Sequence, residues 1–234
     1  MAKGDRLGII FIGGEGPEPE QCRILVEEQE TPLVAAADSG LFAAEAAGMR
    51  PRWIIGDMDS LGSGGTARLA AYGADQILRY PPDKDYTDTE LAVSALWERG
   101  CTRIWLVGGG GGRVDHLFAI RALFEREKTP ERWISRDDIW RLEGPGEFTR
   151  VSRPGEGDCP VSVFPLGTGP WKAESSGLAW PLAGLPWSRG FFGISNTAPG
   201  GGFTIRAIEG RFMLILPFSL CLYSPDVSLP GNNL

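Results

Sequence analysis

The sequence predicts an α/β fold, a doubly wound parallel-sheet catalytic domain followed by a smaller all-β sandwich domain. Two observations carry this expectation. Through the first half, short apolar runs alternate with amphipathic stretches to give five βα units in succession. Beyond about Lys128, glycine and proline become frequent, helical periodicity stops and short β-like runs take over.

The strands are expected at Leu7–Ile12, Leu33–Ala37, Trp53–Ile55, Gln76–Arg79 and Arg103–Val107, each a continuous apolar run suited to a sheet covered on both faces. Helices are expected at Glu18–Glu28, Leu41–Ala47, Thr66–Ala71, Asp88–Arg99 and Val114–Lys128. Later strands are expected at Val161–Phe164, Phe203–Ile208 and Phe212–Leu216, the second approximating period-two alternation. The expected domains are 1–130 and 131–225, with a flexible tail at 226–234.

Composition narrows the function classes. The chain has 234 residues, 42% hydrophobic and 23% charged, which is ordinary for a soluble globular protein. A net charge of -7 argues against a nucleic-acid partner, which demands clustered Lys and Arg. An acidic protein that handles phosphates needs a divalent cation between the two. Cys22, Cys101, Cys159 and Cys221 form no CxxC pair, so neither a disulfide framework nor a zinc site is expected, and a cytoplasmic setting fits. The opening MAKGDRLGIIFIGG lacks a long apolar signal segment. The apolar run from Phe212 to Tyr223 contains Pro217 and is too short to span a bilayer, so no membrane partner is expected. His116 is the only histidine, which excludes a multi-histidine metal site.

In a doubly wound sheet, ligands bind beyond the carboxyl ends of the strands. The second strand is followed by Ala37-Asp38-Ser39-Gly40 and the third by Gly56-Asp57-Met58-Asp59-Ser60. The fourth leads to Pro82-Asp83-Lys84-Asp85-Tyr86-Thr87-Asp88-Thr89-Glu90, and the fifth to Gly108 through Gly112, then Arg113-Val114-Asp115-His116. Four successive strand ends thus carry carboxylates or a glycine run, which marks an active-site edge.

Each segment also has a plainer reading. Asp38 suits an N-cap for the helix after it. Thr87 to Glu90 spells a capping box, which fixes the helix start that aims Asp88. The carboxylates of Asp57 and Asp59 repel at that spacing unless a cation joins them. The glycine run matches neither GxxxxGK[ST] nor GxGxxG, yet its place between strand and helix suits backbone amides facing an anion. No GxSxG occurs, which argues against an α/β-type serine hydrolase.

Together the four segments resemble the thiamine pyrophosphokinase family. ADSG is similar to its ADGG, GDMDS to its GDxDS, KDYTDTELA to its KDxTDxExA and GGGGGRVDH to its GGxxGRxDH, in the family's order from Ala37 to His116. Weaker matches follow at SGLAWPL, from Ser176, and GISN, from Gly193. Two departures stand out. Ser39 replaces the second glycine of ADGG, and Ala119 and Ile120 occupy the stretch where an asparagine usually follows the Asp-His pair.

The resemblance implies transfer of the terminal diphosphate of ATP to the hydroxyl of thiamine, with Mg²⁺, in a homodimer. In that family thiamine binds between the catalytic edge of one subunit and the sandwich of the other. Carried over, it implies Asp57, Asp85 and Asp88 as metal ligands, and Asp59 and Ser60 as residues that orient ATP. Lys84, Arg113 and the backbone of Gly110, Gly111 and Gly112 would face its phosphates. Asp38, His116, Trp180, Ser195 and Asn196 would lie at the thiamine, with Asp38 or Asp115 orienting its hydroxyl. Two alternatives share the ATP and metal residues: a pyrophosphokinase for another acceptor, such as a hydroxymethyl pterin, and a non-catalytic nucleotide sensor. A phosphatase of the haloacid dehalogenase type fits less well, because Asp57-x-Asp59 follows the third strand and Leu61 stands where that motif wants Thr or Val.

Overall fold

Six parallel strands form the sheet of the N-terminal unit: β1 (Leu7–Ile12), β2 (Leu33–Ala37), β3 (Trp53–Gly56), β4 (Ile77–Arg79), β5 (Arg103–Gly108) and β6 (Arg132–Ile134). The computed structural model describes residues 5–27, 29, 31–151, 160–200 and 202–218; the expected tail at 226–234 lies outside them. Within this unit the order is β6-β5-β1-β2-β3-β4. The chain runs outward from β1 to β4, then returns beside β1 to lay down β5 and β6. Crossovers that run in two directions from β1, with the right-handedness usual for such connections, make the sheet doubly wound. The order reverses between β1 and β5, the switch point beyond whose carboxyl ends a doubly wound sheet binds its ligands.

The connecting helices are α1 (Pro19–Glu27), α2 (Gly40–Ala46), α3 (Gly62–Leu69), α4 (Asp88–Glu98) and α5 (Val114–Leu123). Ile9, Ile10, Phe11, Ile54, Ile55, Ile104 and Leu106 are buried, as expected of strands covered on both faces. Gly40 opens α2 because a Cβ there would strike the Phe11 carbonyl, so the helix lies close on β1. Thr87 caps α4 as the sequence suggests: its hydroxyl accepts from the Glu90 N–H at 3.2 Å, and the Glu90 carboxylate accepts from the Thr87 N–H at 2.8 Å. The helix expected over Val114–Lys128 stops at Leu123. Fully buried Phe124 caps it, and three-residue turns through Glu125 and Arg126 close it.

The chain divides into two compact units between Arg136 and Asp137. The C-terminal unit contains β7 (Asp138–Glu143), β8 (Phe148–Val151), β9 (Val161–Leu166), β10 (Lys172–Ser176), β11 (Gly193–Asn196), β12 (Phe203–Glu209) and β13 (Arg211–Pro217). Antiparallel pairing gives one sheet ordered β11-β9-β13-β7 and a second ordered β10-β12-β8. Val163, Phe212 and Leu214 from the first share a single core with Val151, Ala173 and Ile205 from the second, so the two sheets form a sandwich. No described helix is long and apolar enough to cross a membrane.

Candidate active site

A cavity of about 660 Å³ opens at the carboxyl ends of the parallel strands. Its walls come from the segments after β1, β2, β3, β4 and β5, where a crevice at the reversal point is required to lie. Asp38, Asp57, Ser60, Lys84 and Asp88 line it. So do Gly109–Gly112, Arg113 and His116.

The backbone bends sharply to aim these groups. Asp38 (φ 47) and Met58 (φ 72) are both left-handed, a conformation costing of order 1–3 kcal/mol that clusters at functional sites. Past Met58 the chain makes a short 3₁₀ turn, Asp59–Leu61, and the Asp59 N–H donates to Asp57 Oδ1 at 3.1 Å. Gly56 (φ 145) ends β3 with no side chain, and a Cβ there would lie 2.9 Å from the Asp88 carboxyl carbon. Removing that Cβ lets α4 bring its first residue against β3.

Asp38, Asp57 and Asp88 therefore meet, with one possible ligand atom from each lying within 4.8 Å of the others. Lys84 joins them: its ammonium donates to Asp57 Oδ2 at 2.8 Å and lies 3.1 Å from Asp88 Oδ1. Ser60 Oγ donates to Asp38 Oδ2. Asp38 Oδ1 is buried and accepts no hydrogen bond, and buried Asp88 Oδ1 has only the Lys84 ion pair. An unpartnered carboxylate oxygen in a three-carboxylate cluster fits a hard divalent cation with oxygen ligands.

The titration behaviour follows from these contacts. Burial, reinforced by the charges of Asp88 and Asp57, raises the Asp38 carboxyl above its ordinary value despite the Ser60 hydrogen bond. The hydrogen bond from Lys84 holds Asp57 below its ordinary value. Burial pulls Lys84 down, but its contacts with Asp57 and Asp88 outweigh that and leave it raised.

The glycine turn is held to the first strand end by two backbone hydrogen bonds between Glu15 and Gly110, of 2.6 and 2.8 Å. Gly109, Gly111 and Gly112 all have positive φ, a conformation open to glycine at little cost. Arg113 is exposed and paired with Asp115, which lowers the Asp115 carboxyl.

Several expectations shift in detail. Asp38 does not cap α2, where Ser39 sits at the N-cap without a side-chain hydrogen bond; it joins the carboxylate cluster instead. Asp85 is exposed and lies outside both the cluster and the cavity lining, and the third carboxylate beside Asp57 and Asp88 is that of Asp38. Asp59 and Asp115 are exposed and off the cavity wall; the Asp59 N–H donates to Asp57, and the Asp115 carboxylate accepts from Arg113. Gly13 and Gly14 were missed, although a glycine pair directly after a strand is a usable signal. The missing Cβ of Gly13 makes room for the Ser39 hydroxyl, which accommodates that departure. Ala119 and Ile120 line the cavity, leaving an apolar wall where an asparagine was expected.

In the C-terminal unit, Trp180 is 63% exposed and is not a core residue. Asn196 is buried, and its amide bonds the Trp180 backbone through both N–H and C=O. Ser195 is exposed and left-handed (φ 57).

Residues 26–132 match the model of the thiamin pyrophosphokinase catalytic domain. The thiamine pyrophosphokinase of Bacillus subtilis (strain 168) is 28% identical over 156 residues, 65% of this chain and 72% of that protein. The crystal structure of thiamin pyrophosphokinase from Geobacillus thermodenitrificans superposes with a TM-score of 0.69 at 27% identity, covering 90% of this chain and 96% of that one. The Bacillus subtilis structure gives 0.72 at 24% identity over 91% and 99%, a likeness of fold.

Proposed function

Because residues 26–132 of this chain belong to the thiamin pyrophosphokinase family, we propose that the protein transfers the diphosphate of ATP to the hydroxyl of thiamine, releasing AMP. The observation that carries this reading is the convergence of Asp38, Asp57, Asp88 and Lys84 in one cavity with a glycine turn, at the carboxyl ends of the parallel strands. Such a site handles a polyphosphate and a divalent cation.

In the reaction, the thiamine hydroxyl oxygen attacks the β-phosphorus as the bond to the α,β-bridging oxygen breaks; AMP leaves with that oxygen and the hydroxyl proton passes to solvent. A transfer of this kind needs alignment and charge neutralisation more than covalent help. Asp38, Asp57 and Asp88 would hold Mg²⁺, which when bound offsets the charge developing on the phosphate oxygens. Ser60 donates to Asp38 Oδ2 and leaves the buried Oδ1 without a partner in the protein. The amides of Gly111 and Gly112 offer donors to phosphate oxygens, whereas the Gly110 amide expected beside them already donates to the Glu15 carbonyl and serves to hold the turn. Arg113, on the cavity wall, supplies a planar fork for the same oxygens, and Asp115 keeps that fork in place before the nucleotide arrives. His116 lines the cavity close to Arg113 and belongs to the acceptor side of this reading.

Trp180 supplies a stacking face for the cationic heteroaromatic ring of thiamine. Asn196 fixes the segment that presents it, and exposed Ser195 stands next to Asn196 on the thiamine side of this reading. A homodimer in a cytoplasmic setting completes the reading.

The test is product analysis after incubating the protein with ATP, Mg²⁺ and thiamine. AMP and thiamine diphosphate formed together, and lost with EDTA, support the reaction. AMP without thiamine diphosphate moves the acceptor to another hydroxyl compound, and no AMP at all overturns the catalytic reading.

A further inference from the structure

Asp57 and Asp88 already share one cation, and it is part of the chain. The Lys84 ammonium lies 2.8 Å from Asp57 Oδ2 and 3.1 Å from Asp88 Oδ1, and its side chain is only 11% exposed. With Asp38, these carboxylates place ligand atoms within 4.8 Å of one another. Mg²⁺–oxygen bonds of about 2.0–2.1 Å set opposite ligands about 4.2 Å apart, so small adjustments suffice to admit such an ion. The ion and the ammonium compete for the same oxygens. Holding both there would put two positive centres nearly in contact, at strongly repulsive range.

Resting on the metal-site reading above, we propose that Lys84 is a displaceable counter-ion: it occupies the carboxylate cluster of the free protein and moves to the phosphates when cation and nucleotide enter together.

Two further observations support this. Lys84 satisfies only part of the cluster, because Asp38 Oδ1 is buried and accepts no hydrogen bond. An ion with several coordination positions answers both needs, which one ammonium cannot. Lys84 also lines the same cavity as Gly110–Gly112 and Arg113, so its flexible four-carbon arm has a new partner within that space once phosphate is present. Free divalent cation then binds weakly, since it must displace the ammonium with nothing to receive it. Cation and triphosphate bind cooperatively, each favouring the state the other needs.

The experiment follows Mn²⁺ binding to the nucleotide-free protein by electron paramagnetic resonance, in wild type, Lys84→Met, Lys84→Arg and Asp57→Asn. Lys84→Met should bind Mn²⁺ about tenfold more tightly than wild type, a typical coupling for two linked sites. Lys84→Arg, which keeps the charge, should stay weak. A non-hydrolysable ATP analogue should tighten Mn²⁺ in wild type and do so much less in Lys84→Met. If Lys84→Met proves poorly folded without metal, thermal melts serve instead: Mn²⁺ should raise its melting temperature by more than that of wild type. Unchanged or weaker Mn²⁺ binding in Lys84→Met, with binding lost in Asp57→Asn, overturns the counter-ion role and leaves the metal site standing. Absence of Mn²⁺ binding in every form, with or without nucleotide, overturns both.

Discussion

Asn196 grips Trp180 through both polar atoms of its side chain. Its Oδ1 accepts from the Trp180 N–H at 3.1 Å, and its Nδ2 donates to the Trp180 carbonyl at 2.6 Å. The same Oδ1 accepts from the Thr197 N–H at 2.9 Å. Asn196 is buried and the Trp180 ring is exposed, so a fixed backbone presents a free aromatic face. A tryptophan that served the core would be arranged the other way round.

The pair therefore predicts a division of labour. Trp180→Ala should raise the KM for thiamine with little change in kcat; a cation–π contact of about 0.5–2 kcal/mol corresponds to roughly 2- to 30-fold. Asn196→Ala should raise the same KM and also lower the melting temperature, because three hydrogen bonds at a buried amide are lost at about 1–3 kcal/mol. Steady-state kinetics with thiamine varied, set beside thermal melts, separate the two. A lower melting temperature for Trp180→Ala with unchanged KM would return that ring to a structural role.

The Lys84–Asp57 pair gives a pH dependence whose sign is fixed. Asp57 has a lowered pKa in the fold, so its contribution is complete above the unfolded value of about 3.9 and fades as pH falls through the lowered folded value. Lys84 has a raised pKa, so its share holds below about 10.4 and fades only as pH rises through the raised value. In EDTA, wild type should be more stable than Lys84→Met across the neutral range. The gap should shrink below about pH 4, where the carboxylates protonate. Urea melts from pH 3 to 7 measure it, and a gap independent of pH would detach Lys84 from the carboxylates.

How much of this was legible in the sequence depends on what each residue answers to. β1 and β2 were placed to the residue, because Leu7–Ile12 and Leu33–Ala37 are uninterrupted apolar runs and burial on both faces leaves no other pattern. β7 escaped notice, because Arg141 and Glu143 turn inward and erase the alternation that marks a half-buried strand. Asp57, Ser60, Lys84 and Asp88 each follow a strand end, which is why the sequence points to them together. That Asp38 rather than Asp85 joins the carboxylate cluster is not legible: it turns on the left-handed φ of Asp38 and on which side of the α4 cap each carboxylate falls. Nor was the grip of Asn196 on Trp180, a contact across 16 residues that no local pattern encodes.

The inward pair in β7 carries a stability prediction. Arg141 Nε donates to Glu143 Oε1 at 2.7 Å, Thr149 donates to the same oxygen, and both charged side chains are almost wholly buried. Burial pushes the Glu143 carboxyl up, and its Oε2 has no hydrogen-bond partner. Glu143→Leu alone should cost about 3–5 kcal/mol by stranding the guanidinium. Arg141→Met with Glu143→Leu should recover most of that loss, since well-packed apolar pairs often equal buried ion pairs. Urea melts of both singles and the double mutant complete the cycle. An additive double mutant would mean that the two groups are not coupled.

Gly56 offers a way to disturb the carboxylate cluster without touching a carboxylate. Its φ of 145 disfavours any side chain, and an added Cβ would lie 2.9 Å from Asp88 Cγ and 3.3 Å from Asp38 Cβ. The nearer obstacle is the end of a side chain, so in Gly56→Ala the Asp88 carboxylate should yield before the backbone does. Gly48 is the control: it too has positive φ (75), after α2, but nothing lies within 4 Å of its Cβ position. Gly48→Ala should lose about 1 kcal/mol through backbone strain and keep its turnover. Gly56→Ala should lose more stability than this and, in addition, bind Mn²⁺ more weakly and turn over at least about tenfold more slowly, the kinetic equivalent of ~1.4 kcal/mol. Calorimetric melts, Mn²⁺ titration and initial rates on the two variants decide it. If Gly56→Ala matches Gly48→Ala in metal affinity and rate, Asp88 does not need its present position, and the cluster is looser than these distances imply.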